Sequence, residues 1–428
     1  MSLRRRIRNL RLIDPVSGKD YRGDLALAAG KILALGEIPD DFQANEEIDG
    51  SGLIACPAFL ETQFQAHTPG SGLHGDLRSE LHAAAAGGFG SVVLDPDTAP
   101  VADTPGVLYQ QRAAAEAVDY LRVYLSGALT RELQGESLSE MAALAEAGAQ
   151  IFSQGRQSVA DSQRLRLALS YAADLGRTVF LWPEDRCLAG NGVMDEGPLS
   201  LRLGLAARPQ AAEEIGVERD LRVARLAGAA VHFPSLSSAA AIARVAEARR
   251  GGQVVSCGVS LHHLLLSAED IGYFNTHSKI LPPLRNQKNR DDLLRALADG
   301  AIQCLTSQHV PWGRETEGQT FAQAPFGIAA VQWTLPLALR LVEEGSLDLL
   351  QMIRLFTTGP AAVLGLPPPS LAPGANADLC VFDPDAELQP SATGFSRARN
   401  HPYAGWPLRG QVRYLFVDGR LRYCSAAG

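Results

Sequence analysis

The chain has 428 residues, 46% of them apolar and 20% charged, a balance that suits a globular protein with one large core and a smaller second unit. Lysine plus arginine number 39 and aspartate plus glutamate 47, so the formal charge is −8, which excludes a general nucleic-acid binder or a protein held to an anionic membrane by charge. No run of about 18 apolar residues occurs, so no membrane span is expected. Arg4-Arg5-Arg6 leads into a strand pattern and not into the apolar core of a signal segment. The six cysteines are scattered without a Cys-x-x-Cys pair, and read as small buried apolar residues of a reducing, cytoplasmic protein.

In chain order, Ile7 to Leu12 alternates as a strand and ends at the Asp14-Pro15 turn. Asp24 to Ala28 and Lys31 to Leu35 flank an Ala29-Gly30 turn. Eight further strands are expected: Ala58 to Phe64, Ser91 to Leu94, Leu121 to Ser126, Ala149 to Phe152, Thr178 to Trp182, Ala229 to Phe233, Gln253 to Ser256 and Ala301 to Thr306. Helical stretches such as Leu138 to Ala147, Ser162 to Leu175, Ala239 to Arg250 and Arg290 to Leu297 alternate with them. Eight such units over residues 56–364 predict a (β/α)8 TIM barrel, with its reactive face at the C-terminal strand ends. A doubly wound sheet is the alternative, but no Gly-x-Gly-x-x-Gly follows an early strand. After the barrel, Ala377 to Phe382 and Val412 to Val417 are strands, the second running into the hairpin signal Asp418-Gly419. Residues 1–55 and 365–428 are expected to form one small β-sandwich from both termini.

The stretch that organises the chain is GLIACPAFLETQFQAHTPG, residues 52–70, where Gln63 and Gln65 sit at alternate positions of a strand and so face the same side. Further motifs are AAAAGGFGSVV, EDRCLAGNGVMDEG, HHLLL, PPLR, APFGI, GPAAVLGLP, ANADLCVFDPDAE and NHPYAGWPLRGQV. Together they resemble the type I dihydroorotases of the amidohydrolase superfamily along nearly the whole chain. The resemblance implies a metal-dependent barrel, with a flanking β-sandwich, that cyclises carbamoyl-aspartate in pyrimidine synthesis.

The same resemblance exposes departures. The first strand of the family offers His-x-His, and here stand Gln63 and Gln65. The bridging carboxylate or modified lysine of the fourth strand is replaced at Phe152-Ser153-Gln154, the histidine of the fifth by Trp182, and that of the sixth by Ser235. The aspartate that the family uses as general base is Gln308, which cannot take up a proton at neutral pH. Expected substrate contacts are altered as well: an arginine is His67, two asparagines are Asp97 and Leu281, and a histidine is Trp312. Zinc takes imidazole, thiolate or carboxylate ligands, so the catalytic positions are expected to be degenerate, with no metal and no cofactor.

Of the nine histidines, His67, His232, His262, His263 and His309 fall near strand ends, but histidine has many structural roles and the family's own His-His is not a ligand pair. Glu184 and Asp185, with Asp195 and Glu196, read as an anchoring acidic loop ahead of an acid–base pair. Ser153 and Ser235 lack the Gly-x-Ser-x-Gly frame of a nucleophile, and Gly87-Gly88-Phe89-Gly90 reads as a helix-to-strand turn. The chain is similar to the inactive dihydroorotase-like chains that certain bacteria carry in complexes with aspartate transcarbamoylase. That resemblance implies a non-catalytic subunit, oligomeric within a hetero-oligomeric assembly, whose partner is the aspartate transcarbamoylase catalytic chain. The alternative is an enzyme acting on a cyclic amide through a rearranged site such as His67, His309 and Asp97.

Overall fold

The computed structural model describes residues 3–70, 72–391 and 393–425. The first strands are β1 (Arg5–Asp14), β2 (Lys19–Ala28), β3 (Lys31–Gly36), β4 (Glu46–Asp49) and β5 (Ile54–Pro57). Then come β6 (Phe59–Phe64), β7 (Phe89–Leu94), β8 (Arg122–Ala128), β9 (Ala149–Ser153) and β10 (Val179–Phe180). A small inserted pair, β11 (Met194–Asp195) and β12 (Ala207–Arg208), precedes β13 (Val231–Phe233), β14 (Val255–Ser260) and β15 (Cys304–Thr306). The chain ends with β16 (Leu379–Leu388), β17 (Leu408–Val417) and β18 (Arg420–Cys424).

Strands β6 to β10 and β13 to β15 form one parallel sheet, each paired with its neighbour in chain order. The sheet closes just past its ends, where the Gln65 amide donates to the His309 carbonyl at 3.0 Å and the His309 amide to Gln63 at 3.2 Å. Glu61 pins that seam from inside. Its carboxylate is fully buried and accepts from the backbone of Gln63 at 3.0 Å and of Ser307 at 2.8 Å, and from the Thr306 hydroxyl. The expected TIM barrel is therefore present.

The outer strands hydrogen-bond as β18-β17-β16-β5-β1-β2-β3, with β4 against β1. Their apolar faces enclose a separate core of Ile7, Leu10, Leu25, Ile32, Leu379 and Phe416. Both hairpin signals hold: Ala29 and Gly30 adopt φ of 52° and 77°, Asp418 and Gly419 of 49° and 69°, the left-handed pair that matches strand twist. At the junction with the barrel, Phe59 stacks on Phe356 at 5.2 Å and meets Phe89 edge-on at 5.9 Å. Gly88 makes that junction possible, since at φ 96° a side chain there would press on Cys380 and Phe59.

Several boundaries move. Ala239–Arg250 is a helix as expected, and Ser162–Asp174 nearly so. The expected helix at Arg290 begins at Gln287, because Asn286 caps the Asn289 amide. Met141–Glu146 is shorter than expected, because Leu138 is drawn into a bridge with Thr130. Strand β14 lies further along than Gln253 to Ser256, with Gly258 set against the Pro234 carbonyl where no side chain fits. The cysteine reading needs correction as well. Cys187, on a one-turn helix, and Cys424, on the edge strand β18, are exposed, whereas the other four are buried. Among the described residues no helix is long and apolar enough to cross a membrane.

Candidate functional site

The six singled-out positions share the C-terminal rim of the barrel. Gln63 lies in β6 and Gln65 just beyond it, Ser153 ends β9, and Trp182, Ser235 and Gln308 each stand two residues past β10, β13 and β15. All are buried, between 2% and 5% exposed. The Gln65 amide group donates to the Asp97 carbonyl at 3.4 Å and accepts from Arg156 at 3.3 Å. Gln308 holds a left-handed backbone, φ 45°, uncommon for a residue with a side chain. Its backbone amide donates to the Thr306 hydroxyl at 2.8 Å and its side chain to the Leu281 carbonyl at 2.6 Å. Ser153 accepts from the Gly155 amide at 3.0 Å, while the Ser235 hydroxyl and the Gln63 side-chain oxygen are buried without a protein partner.

Charge enters the rim through Arg156, whose guanidinium reaches Asp97 at 3.3 Å and the Phe326 carbonyl at 3.4 Å. Burial, then the neighbouring Asp97, pushes the Asp95 carboxyl well above the usual range, with Arg156 opposing. His67 bonds the Pro311 carbonyl at 2.9 Å, and its ring lies 5.0 Å from His74 and 5.3 Å from Trp312. Burial lowers its pKa and favours the neutral ring. His309 is enclosed with Glu80 at 2.8 Å, both side chains inaccessible. His67, His309 and Asp97 are thus each committed to a different partner and form no common triad.

A divalent metal of the kind that the resemblance implies does not fit this rim. At the six ligand and base positions the donors on offer are three carboxamides, two hydroxyls and an indole, none of which zinc prefers. Among the described residues no three histidine, cysteine, aspartate or glutamate side chains converge on a possible metal position. The remaining buried histidines serve packing. His262 bridges Tyr403 at 2.6 Å and the Ser307 carbonyl at 2.9 Å; His263 bridges Ser260 at 2.9 Å and the Pro282 carbonyl at 3.0 Å; His232 meets Ser256 at 2.8 Å. Burial pushes His232 and His262 down to about 3 and His263 to about 4, so all three are neutral near pH 7.

The acidic loop is an anchor. Glu184 pairs with Arg208 at 2.5 Å, Asp185 caps the helix Arg186–Ala189, and Asp195 bonds the buried Arg285 at 2.7 Å; Glu196 is exposed. Arg285 also donates to the Ser237 hydroxyl at 2.9 Å, and Glu213 accepts from the backbone of Ser237 and Ser238 at 2.9 and 2.7 Å. Sequence reasoning missed Arg156, Glu61, Arg285 and the Glu80–His309 pair. Glu61 alone carried a local signal, an acid in a strand whose other residues are all apolar or neutral.

Residues 58–240 match the dihydro-orotase-like family and residues 195–422 the amidohydrolase family. A dihydroorotase-like protein of Pseudomonas aeruginosa is 39% identical, covering 97% of this chain and 99% of that relative. A protein named dihydroorotase from a Geobacter species is 36% identical, covering 97% and 98%. Among solved structures, an L-hydantoinase (dihydropyrimidinase) from Arthrobacter aurescens superposes with a TM-score of 0.87 at 21% identity, over 98% of this chain and 96% of that one, a likeness of fold. The chain belongs to the amidohydrolase family, among its dihydroorotase-like members.

Proposed function

We propose that this protein is a catalytically inactive dihydroorotase homologue, a cytoplasmic structural subunit that assembles with the aspartate transcarbamoylase catalytic chain in pyrimidine synthesis. The observation that supports inactivity is the rim itself. Gln63, Gln65, Ser153, Trp182, Ser235 and Gln308 occupy every position where the family resemblance calls for a ligand or a base. An amide locked to the Leu281 carbonyl cannot shuttle a proton. An assembly role accounts for an intact barrel around such a rim, and the identity of the partner rests on resemblance alone.

Co-expression with the aspartate transcarbamoylase chain of the same cell tests this, read by light scattering after size exclusion and by metal analysis. A stoichiometric complex without bound zinc is the expected result. A metal-loaded protein that ignores that chain overturns it. The second reading, an enzyme opening or closing a cyclic amide through a rearranged site, is favoured by the 36%-identical relative named dihydroorotase. It requires measurable turnover of dihydroorotate or a related cyclic amide by the purified chain.

A further inference from the structure

Arg156 stands in a turn built to aim it. Gln154 before it is fully used, donating to the Leu133 carbonyl at 2.8 Å and accepting from the Thr130 hydroxyl at 3.0 Å. Gly155 follows in a left-handed conformation, φ 61°, which a residue with a side chain rarely adopts. From this turn after β9 the guanidinium spans to three other segments: Gln65 after β6, Asp97 after β7, and Phe326 beyond β15. The Arg156 and Asp97 side chains are 18% and 20% exposed, and the pair is the one ion pair that Asp97 makes among the described residues. Burial holds the neighbouring Asp95 carboxyl well above its usual range, with Asp97 and Glu61 adding to the shift and Arg156 opposing it. In the family that the sequence resembles, position 97 is asparagine, so the pair arises from this chain's own acid.

We propose that Arg156 is the resident cation of this barrel mouth: it neutralises Asp97, ties the loops after the first, second and eighth barrel strands together, and supplies the positive charge that a divalent ion supplies in a metal-bearing barrel. The assignment rests on the metal-free reading of the rim given above. A guanidinium suits the task, because its planar fork serves two carbonyl-type oxygens and a carboxylate at once, which the ammonium of lysine does less well. Removing one partner leaves the other charge half-buried and uncompensated, whereas removing both leaves a neutral rim.

A double-mutant cycle of R156M and D97N in the full chain, read as thermal unfolding midpoints with and without manganese, tests the assignment. R156M alone lowers the midpoint by about 2–5 °C, and adding D97N restores most of that loss. Manganese, which takes oxygen ligands, raises the midpoint of R156M through the released Asp97 carboxylate and Gln65 oxygen and leaves the unmutated chain unchanged. If R156M by itself does not fold, recovery of folded protein in the double variant is the same coupling. Additive effects, or a double variant that stays unfolded, overturn the assignment while leaving the metal-free reading intact. Stoichiometric zinc in the unmutated protein instead overturns that reading, and this assignment with it.

Discussion

Two groups of buried polar side chains in this barrel are built to different standards. Beneath the inserted pair β11–β12, Arg285 is 3% exposed and every contact is closed: Asp195 at 2.7 Å, Ser237 at 2.9 Å, the Arg208 carbonyl at 3.1 Å, with Glu213 taking the neighbouring amides. At the rim, Gln63, Gln308, Ser235, Asp97 and Arg156 each retain a buried polar atom with no protein partner. A closed network stiffens what it joins, and an open one destabilises by about 1–3 kcal/mol per unsatisfied group unless water reaches it. The difference separates the part of the chain that holds the fold from the part that is left open at the barrel mouth. Catalysis needs polar groups whose partners come from outside, and the rim is where this barrel leaves such groups open.

The largest expected effect belongs to acid. His232, His262 and His263 are neutral when folded, with values of about 3, 3 and 4, while an unfolded histidine titrates near 6.5. Between those values the unfolded chain binds more protons, so stability falls as pH falls below about 6.5, by roughly 2 kcal/mol per histidine at pH 5. Asp220, raised to about 6 by burial, takes its proton in the folded state first, as do the buried Asp95, Glu61, Asp195 and Glu213 carboxyls that burial also raises, and together they offset part of the histidine effect. Urea unfolding from pH 7 to 5 checks the slope, and His232→Leu should reduce it by nearly one proton. An unchanged slope would mean that the interior is less closed than the comparison holds.

Next in size is Arg285→Ala, which strands Asp195 and Glu213 and should cost about 3–5 kcal/mol in urea unfolding. Gln63→Leu probes the open network at the rim. It removes an unpartnered oxygen and should be neutral or stabilising by up to about 1 kcal/mol. If Gln63→Leu proves as damaging as Arg285→Ala, the rim is held by contacts of its own and the contrast fails.

Where a feature is local, the sequence made it legible. The period of Ala239–Arg250, the Asp418-Gly419 hairpin and the i, i+2 spacing of Gln63 and Gln65 are each confined to one element, so pattern was enough. The barrel followed from alternation, and the rim positions from matching motifs to strand ends. What stayed hidden joins distant segments. Arg156 and Asp97 are 59 residues apart, Arg285 and Asp195 are 90, and His309 and Glu80 are 229. They meet because parallel strands bring successive exits side by side, and no periodicity encodes which exit residue reaches which. Strand β14 was misjudged for a related reason: it runs on through Gly258, packed against the Pro234 carbonyl just past β13, a neighbour that local propensity does not reveal.

The smallest expected effect is the most pointed. Gln63→His with Gln65→His restores the family's paired imidazoles on one face of β6, and it should yield no dihydroorotate turnover above the uncatalysed rate, with a thermal midpoint within about 2 °C of the starting chain. Two histidines provide half of a tetrahedral set at best. Ser153, Trp182 and Ser235 still offer no ligand, the Gln308 amide still donates to Leu281 with nothing able to accept a proton, and Arg156 still places its charge beside the position where a cation would have to bind. Gln308→Asp added to the pair supplies a base but leaves its carboxylate beside the carbonyl that its amide had bonded, a repulsive contact. Turnover in either variant, measured as ring opening of dihydroorotate at saturating zinc, would show that the rim tolerates a two-histidine metal site and would overturn the proposed inactivity of the whole barrel mouth.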